Sequence, residues 1–327
     1  MAAANAPPIV WRDNQRIILR EQGVRRLAGR IQEIQRLKKE HHAVILAHNY
    51  QLDEVQAVAD FVGDSFYLSK MAAASTQDVI VFCGVLFMAE TAKLLSPDKT
   101  VLLPEKEAGC PLADMITAED LRSLKAKHPG VPVVCYINSS AEVKAQSDIC
   151  CTSANAVQIV ASLPGSKVIF VPDEHLGDYV ARQVPEKELI LWKGNCVTHA
   201  KVKPRDVEQA RRLYPGAKIL IHPECHPDVV KQADFVGSTS DIIRYAKQSQ
   251  EYTFVIGTEM GVVATLQEVL PDKKFFLLHP ELVCPTMKKT TIDSVYRALQ
   301  YRRHEIHVEA GAALKAQLTL QKMLEVM

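Results

Sequence analysis

The sequence predicts an α/β protein made of three similar αβα repeats, with short parallel sheets around a pseudo-threefold axis and a central active site. Apolar runs suited to buried parallel strands alternate with helical segments along the chain. Short segments also return at a fixed spacing. Asp60-Phe61-Val62-Gly63 recurs 174 residues later from Asp234, and the same 174 residues separate Cys110 from Cys284. A weaker middle copy lies 88 residues after the first and 86 before the third, so one unit occurs three times.

The repeats divide the chain into five parts. A helical lead-in over residues 1–40 precedes repeat one (41–115), repeat two (116–203) and repeat three (204–290), and C-terminal helices over 291–327 are expected to pack on the body. The lead-in carries apolar residues at helical spacing between charged ones. No low-complexity linker separates the copies, which favours one compact body.

Each repeat is predicted to run strand, helix, strand, helix, strand. In repeat one, an apolar strand over 43–47 is followed by a helix with Asp53 as its N-cap and Gly63 as its stop. A second strand covers 79–82, and a helix over 88–95 ends near a proline. The other predicted strands are 100–103, 131–137, 168–171, 189–192, 217–221, 254–256 and 275–278. Strands that alternate with helices imply parallel sheets with right-handed crossovers.

Composition excludes several classes of protein. The chain has 327 residues, with 39 Lys+Arg against 38 Asp+Glu, and this balance argues against a broad basic face for nucleic acid. The longest apolar run, over residues 79–89, is too short for a bilayer, which needs about 20 residues. The first residues lack the charged and apolar regions of a secretory signal. We therefore expect a cytoplasmic protein without membrane or nucleic-acid partners, whose cysteines are reduced.

Polar residues follow the strands at matching positions of the three repeats. Parallel α/β sheets bind ligands beyond the carboxyl ends of their strands. Polar side chains there are costly to bury unless something uses them. If the three copies face one axis, these side chains line one cavity. They are His48, Tyr50, Ser65, Cys110, Tyr136, Asn138, Ser153, Cys196, His222, Glu224, Thr239 and Cys284.

One cysteine per repeat occupies one register position: Cys110, Cys196 and Cys284. Thiolates select iron–sulfur clusters or zinc. Three of them can hold three irons of a [4Fe–4S] cluster and leave the fourth iron open to substrate or water. A zinc ion with three thiolates and a water is the alternative, although donors from three separate repeats suit a cluster better. Buried structural roles are expected for Cys83, Cys135, Cys150, Cys151 and Cys225.

The remaining candidates suit acid–base chemistry and anion binding. His48 and His222 can bind a carboxylate or phosphate, or move protons, whereas either alone could be a core histidine. Glu224 lies between two prolines, a rigid setting that suits a general acid/base. Tyr50 and Tyr136 can donate hydrogen bonds to an oxyanion, or simply pack as aromatic rings. The three hydroxyl residues are expected at helix starts or turns, where backbone N–H groups hold anions.

Eight segments between about residues 40 and 295 carry a family resemblance. They are Ala47-His48-Asn49-Tyr50-Gln51, Gly84-Val85 with Phe87-Met88-Ala89-Glu90-Thr91-Ala92-Lys93, Gly109-Cys110-Pro111, Tyr136-Ile137-Asn138, Gly194-Asn195-Cys196-Val197-Thr198-His199-Ala200, His222-Pro223-Glu224-Cys225, Gly237-Ser238-Thr239 and Cys284-Pro285-Thr286-Met287-Lys288. In this order they resemble the quinolinate synthase A family. The resemblance implies a [4Fe–4S] cluster on the cysteines Cys110, Cys196 and Cys284.

The resemblance also implies a reaction and a set of substrate contacts. Iminoaspartate (iminosuccinate) condenses with dihydroxyacetone phosphate to give quinolinate, phosphate and water, in de novo NAD biosynthesis. Glu224 is then expected to move protons, with Tyr50, Tyr136 and His222 as further catalytic residues. A direct contact with the iminoaspartate-producing oxidase is a possible partnership. The substrate-binding residues implied are His48, Ser65, Tyr136, Asn138, Ser153, His222, Glu224, Ser238 and Thr239.

Three other functions stay open on the residues alone. An iron–sulfur hydro-lyase acting on a hydroxy acid would share the open iron but need no triose phosphate. A non-enzymatic iron–sulfur sensor would require a DNA-binding element, and no helix-turn-helix or basic stretch is evident. A structural zinc protein would use the same cysteines without catalysis.

Overall fold

The computed structural model describes residues 13–326, and that part of the chain contains three four-stranded parallel sheets. Each sheet has the same order, in which the first strand of its repeat lies between the second and the third, and the fourth lies at the edge. The sheets recur at the spacing of the sequence repeats. The predicted fold class, three similar αβα units with short parallel sheets, is therefore confirmed.

The elements follow one another in the same sequence within each repeat. A long helix, α1 (Asp13–Glu40), leads into repeat one, which contains β1 (Ala43–His48), α2 (Asp53–Gln56), β2 (Phe61–Gly63), α3 (Ser65–Ala74), β3 (Val79–Cys83), α4 (Leu86–Leu95) and β4 (Thr100–Leu102). Next come α5 (Ala118–Lys127), β5 (Val133–Tyr136), α6 (Ala141–Ala145), β6 (Ile149–Cys151), α7 (Ala156–Ser162), β7 (Lys167–Val171), α8 (Glu174–Gln183) and β8 (Glu188–Leu191). Repeat three contains α9 (Pro204–Leu213), β9 (Lys218–Ile221), α10 (Pro227–Val230), β10 (Phe235–Val236), α11 (Thr239–Gln248), β11 (Thr253–Gly257), α12 (Gly261–Val269) and β12 (Lys274–Leu277), and is followed by α13 (Ile292–Tyr301) and α14 (Ala310–Glu325).

The prediction of three strands per repeat was wrong, because each repeat has a fourth, very short strand. The segment expected to be one helix up to Gly63 divides into the four-residue helix α2, whose N-cap is Leu52 rather than Asp53, and the strand β2. Gly63 pairs with His48 in the sheet, so it ends a strand and not a helix.

A repeated aspartate explains why the chain returns to the sheet there. In each repeat its backbone N–H and one carboxylate oxygen both bond to a single residue of the central strand, with the carboxylate accepting at 2.8 Å. This double attachment ends the preceding helix and aligns the short strand. The pairs are Asp60 with Ile45, Asp148 with Val133, and Asp234 with Ile219.

A repeated lysine explains the recurrence of Pro97-Asp98-Lys99. In each repeat its ammonium group donates to backbone carbonyls at the end of the helix that precedes the third strand. Positive charge is favourable at a helix C-terminus, where carbonyls lack partners. The lysines are Lys99, Lys187 and Lys273.

The terminal helices pack on different parts of the body. The helix α1 contacts α13, and Arg30 Nε lies 2.7 Å from Asp293 Oδ1 across that contact. The helix α14 packs on α4, α6 and β6, and so covers repeats one and two. Residues 1–12 of the predicted lead-in lie outside the described part of the chain. Between residues 13 and 326, every helix is too short or too polar to cross a bilayer.

Candidate active site at the centre of the three repeats

One cavity receives side chains from all three repeats. It encloses about 790 Å³ of empty space, including its open mouth. All twelve residues chosen from the repeat register line it: His48, Tyr50, Ser65, Cys110, Tyr136, Asn138, Ser153, Cys196, His222, Glu224, Thr239 and Cys284. Ser238, which the family resemblance added, does not line it, because its hydroxyl caps α11 through Asp241.

The two repeat-related histidines adopt the same local structure. His48 ends β1 and His222 follows β9, and each ring Nδ1 accepts a hydrogen bond from the backbone N–H two residues later, at 3.2 and 3.3 Å. An Nδ1 that accepts leaves the ring proton on Nε2. Burial lowers the pKa of both histidines to about 3, so both rings are neutral at pH 7. Each therefore offers one N–H donor.

A chain of hydrogen bonds joins the three repeats across the cavity. Tyr136 donates its hydroxyl proton to Glu224 Oε1 at 2.6 Å, and His199 Nδ1 lies 2.7 Å from Glu224 Oε2. His199 Nε2 lies 3.0 Å from the Thr258 hydroxyl, which in turn lies 2.8 Å from the hydroxyl of Tyr50. A proton at Glu224 is thus connected to Tyr136 directly and to Tyr50 through two further side chains.

Burial and hydrogen-bond partners together determine which side chains of this hydrogen-bonded series are charged. Burial alone would raise the pKa of Glu224, but the hydrogen bond to His199 and the electrostatic influence of that ring, with the hydrogen bond from Tyr136, outweigh it and lower the pKa. Burial, reinforced by the Glu224 charge, raises the pKa of Tyr50 and Tyr136. At neutral pH the site therefore holds a carboxylate bonded to the protonated phenol of Tyr136, with the protonated phenol of Tyr50 connected through His199 and Thr258.

His199 and Thr258 belong to the site but were not chosen from the sequence. His199 follows Cys196 by three residues and is 1% exposed. The corresponding residues of the other repeats are apolar, Ala113 and Met287. A polar residue at a position that is otherwise apolar was a signal that could have identified His199. Thr258 carries the same signal, because the equivalent residues of the other repeats are Gly84 and Pro172.

The three cysteines occupy equivalent backbone settings. Each carbonyl accepts a hydrogen bond from the N–H four residues later, which begins a short 3-10 turn at Ala113–Met115, His199–Lys201 or Met287–Lys289. Burial, followed by the nearby Cys284 and Glu224, raises the pKa of Cys110 to about 12. A thiol with such a pKa stays protonated until a metal displaces the proton. Cys196 also lies near a second group of donors, and its Sγ, His199 Nδ1 and a Glu224 oxygen are all within 4.8 Å of one another.

The hydroxyl residues and the other cysteines lie where the sequence suggested. Ser65 and Thr239 are the first residues of α3 and α11, and Ser153 lies in the turn before α7. The Thr239 hydroxyl is 3.0 Å from that of Tyr50, so it also contacts the hydrogen-bond chain. The five cysteines expected to be structural are buried: Cys83, Cys135, Cys150, Cys151 and Cys225.

Comparison with known proteins identifies the family. The family model described as "Quinolinate synthetase A protein" matches residues 32–325. The chain belongs to the quinolinate synthetase A family. Curated relatives named quinolinate synthase include proteins of Caldicellulosiruptor bescii, 60% identical over 90% of this chain and 97% of the relative, and of Alkaliphilus metalliredigens, 59% identical over 90% and 98%. The quinolinate synthetase A match spans all three repeats and both C-terminal helices, so the whole cavity lies within it.

Proposed function

We propose that this chain is a quinolinate synthase, which condenses iminoaspartate with dihydroxyacetone phosphate to quinolinate, phosphate and water for NAD biosynthesis. One observation carries the proposal. Three repeat-related thiols and a buried carboxylate bonded to a phenol open onto one cavity, in a chain whose close relatives carry this name. The upstream oxidase that makes iminoaspartate is a proposed partner.

The chemistry of the donors suits a [4Fe–4S] cluster, which Cys110, Cys196 and Cys284 would hold. These are the three cysteines in the cavity lining of the described residues, so a four-iron cluster would keep one iron without a protein thiolate. When bound, the cluster would supply a Lewis acid at that iron for a substrate hydroxyl or carboxylate oxygen. Such a role requires room beside the thiols, and the same cavity extends from them to Tyr136 and Glu224.

The side chains around the cavity divide the remaining work. We assign proton transfer during isomerisation and dehydration to Glu224, which is ionised, buried and bonded to Tyr136. Tyr50 and Tyr136 stay protonated, so they donate to oxyanions that form on the substrates. The neutral rings of His48 and His222 offer Nε2–H donors to substrate carboxylates or phosphate.

Asn138 adds an orienting contact. Its amide Nδ2 lies 3.5 Å from Glu224 Oε1, while its buried Oδ1 has no partner among the described residues. A buried polar atom without a partner is costly, and a substrate donor would remove that cost. The hydroxyls of Ser65, Ser153 and Thr239 complete the proposed anion-binding side of the site. Ser238 contributes by capping α11, the helix that Thr239 begins.

Anaerobic purification followed by iron and sulfide analysis tests the proposal, together with a quinolinate assay on the wild type and Cys196→Ala. We expect an air-sensitive cluster and quinolinate formation in the wild type, and loss of both in the variant. Cys83→Ala is the matched control, because Cys83 is buried in β3 and does not line the cavity. A wild type that turns over no iminoaspartate with its metal in place would refute the proposed activity.

A zinc centre is a second candidate, favoured by the close approach of Cys196, His199 and Glu224. Cysteine, histidine and glutamate are all common zinc ligands. The same metal analysis distinguishes the two centres. Stoichiometric zinc without sulfide in anaerobically purified protein would favour the zinc site over the cluster.

A further inference from the structure

The three cysteine-bearing loops are attached to their sheets by one repeated backbone hydrogen bond. In each repeat, an N–H just after the third strand donates to the carbonyl two residues before the cysteine, at 2.7 or 2.8 Å. The pairs are Leu86 with Ala108, Glu174 with Gly194, and Met260 with Leu282. This bond fixes where each loop begins, but it does not reach the cysteine itself.

The residue that precedes the donor residue of this backbone hydrogen bond differs between the repeats. Repeat one has Val85, repeat two Asp173 and repeat three Glu259, and both carboxylates are 0% exposed. A fully buried carboxylate requires hydrogen-bond donors or a counter-charge. The donors around each of these two carboxylates therefore indicate its role.

Glu259 bonds directly to the backbone of Cys284. Its Oε1 accepts from the Cys284 N–H at 3.2 Å, and its Oε2 accepts from the Gly261 N–H at 2.8 Å. Lys288 Nζ lies 3.1 Å from Oε1 and supplies the counter-charge. Both carboxylate oxygens are therefore occupied, one by the loop that carries Cys284 and one by the start of α12.

The same group of residues reaches the turn of repeat one that carries Tyr50. Lys288 Nζ donates to the backbone carbonyl of Tyr50 at 2.6 Å. Gly261 lies against the same turn, since a Cβ on it would come within 2.3 Å of the Asn49 carbonyl oxygen. The path from Cys284 through Glu259 and Lys288 therefore ends at the backbone of Tyr50, which belongs to repeat one.

Asp173 has the equivalent place in repeat two but a less complete set of contacts. Its Oδ1 accepts from the N–H groups of His175 and Leu176, both at 2.9 Å. Burial and the charge of Glu224 raise the pKa of Asp173, and the N–H groups of Leu176, His175 and Cys196 offset only part of that rise. Its Oδ2 has no partner within hydrogen-bond distance among the described residues. Only repeat three thus has a fully bonded carboxylate behind its cysteine.

We propose that Glu259 is a positioning residue, which holds Cys284 in place at the cavity and, through Lys288, fixes Tyr50 relative to it. The inference rests on the proposed function in so far as Cys284 is a cluster ligand. Residues that orient metal ligands without touching the metal commonly change metal retention by about 10- to 100-fold when they are replaced. Val85 has no side-chain acceptor for the N–H of Cys110, so the loop that carries Cys110 depends on backbone hydrogen bonds.

Glu259→Gln is an informative substitution because an amide has one acceptor where the carboxylate has two. Either the Cys284 N–H or the Gly261 N–H must then face an NH2 group. The substitution also leaves Lys288 without its counter-charge, which by itself could destabilise the chain. The double variant Glu259→Gln/Lys288→Met removes both charges, and so separates loss of charge pairing from loss of the backbone bond.

The experiment compares wild type, both variants and the control Glu107→Gln after anaerobic cluster reconstitution. Glu107 forms an exposed ion pair with Lys289 beside the Cys110 loop, at 2.8 Å, and has no contact with a cysteine N–H. Two quantities are measured, the rate of iron release to a chelator and hydrogen exchange of the peptides that contain Cys110 and Cys284. We expect iron release to rise by about 10-fold or more in both Glu259 variants. Hydrogen exchange should increase at the Cys284 peptide and stay unchanged at the Cys110 peptide. The control should match the wild type in both measurements.

Two results would overturn the proposal. If the double variant returned to wild-type iron release and exchange, Glu259 would serve only to neutralise Lys288. If Glu259→Gln behaved like Glu107→Gln, it would have no positioning role. Should Glu259→Gln fail to fold, the double variant decides. A wild type without cluster or quinolinate formation would refute the proposed function instead, and exchange at the Cys284 peptide in cluster-free protein would still test the positioning.

Discussion

Glu224 shows how a buried carboxylate can remain ionised. It is 4% exposed, yet the hydroxyl of Tyr136 and the ring of His199 each bond to one of its oxygens. These contacts replace the water that burial removes, so the charged form is favoured despite the low dielectric. A carboxylate with one phenol and one imidazole in direct contact has two routes by which a proton can leave or return.

Glu224→Gln should lower kcat by about 10²- to 10⁴-fold, the usual contribution of a general acid/base. The amide oxygen can still accept from Tyr136, so the geometry should survive while proton transfer is lost. Steady-state quinolinate formation measures the effect, with Glu281→Gln, an exposed carboxylate 66% accessible, as the control. Full turnover in Glu224→Gln would contradict the acid/base assignment.

His48 should make the folded protein sensitive to acid. Its pKa is about 3 in the fold and about 6.5 in an unfolded chain, so between these values only the unfolded state binds the proton. Its contribution to stability is therefore present above pH 6.5 and is lost as the pH falls toward 3, with a slope of about 1.4 kcal/mol per pH unit.

His48→Asn should reduce the slope of the unfolding free energy against pH by about 1.4 kcal/mol per pH unit, which corresponds to one proton. Urea unfolding of cluster-free protein at pH 7, 6 and 5 measures the slope. His307→Asn, which replaces an exposed histidine, is the control for the substitution itself. Equal slopes for wild type and His48→Asn would show that His48 is not held neutral in the fold.

At the scale of elements, the start of α12 is pressed against the turn that carries Tyr50. Gly261 is the first residue of α12, and the atoms nearest to a Cβ on it are the Asn49 carbonyl oxygen at 2.3 Å, Glu259 Oε2 at 3.0 Å and Tyr50 Cα at 3.1 Å. Two of these atoms are backbone, which cannot rotate away as a side chain would. Only glycine allows repeat three to approach repeat one this closely.

Gly261→Ala should destabilise the chain by about 1–3 kcal/mol, because α12 must move away from the turn. It should also lower kcat by displacing Tyr50. Gly311→Ala is the matched control, since a Cβ there meets nothing within 4 Å and alanine is the better helix former in α14. Thermal unfolding and turnover are measured on both. Equal stability of the two variants would show that the approach of α12 is not tight.

At the scale of the whole molecule, the repeats are joined in two different ways. Repeats one and two share one apolar core, which α14 covers with Leu320 and Met323. Repeat three has its own apolar clusters, against which Tyr50 and Tyr179 of the other repeats pack. Its Met287 belongs to the shared core of repeats one and two, and polar contacts across the cavity add further links. The site is therefore built where repeat three joins the large core through both apolar and polar contacts.

Leu320→Ala should destabilise the chain by about 2–5 kcal/mol, because a fully buried leucine leaves a cavity under α14. Leu318→Ala, at 49% exposure on the same helix, should change stability by less than about 0.5 kcal/mol. Urea unfolding followed by circular dichroism measures both. A similar loss in the two variants would show that α14 is not attached through its buried face.

Prediction from sequence succeeded where the repeat was the signal. The register brought His48, His222 and the three cysteines to one cavity, because equivalent strand ends in three similar units point to one axis. It failed for β2, β6 and β10, since strands of two or three residues are too short to show periodicity. It also missed His199, whose importance depends on a carboxylate 25 residues away in the next repeat.

The sequence by itself determined the threefold repetition, the parallel α/β units and the set of residues that follow their strands, because each of these depends on local pattern and spacing. Only the tertiary structure decided which of those residues touch. The contacts of Tyr136 with Glu224, and of Glu259 with Cys284 and Lys288, depend on how helices and loops pack between and within repeats. Such packing is set by side-chain volumes over the whole core, which no spacing along the chain records.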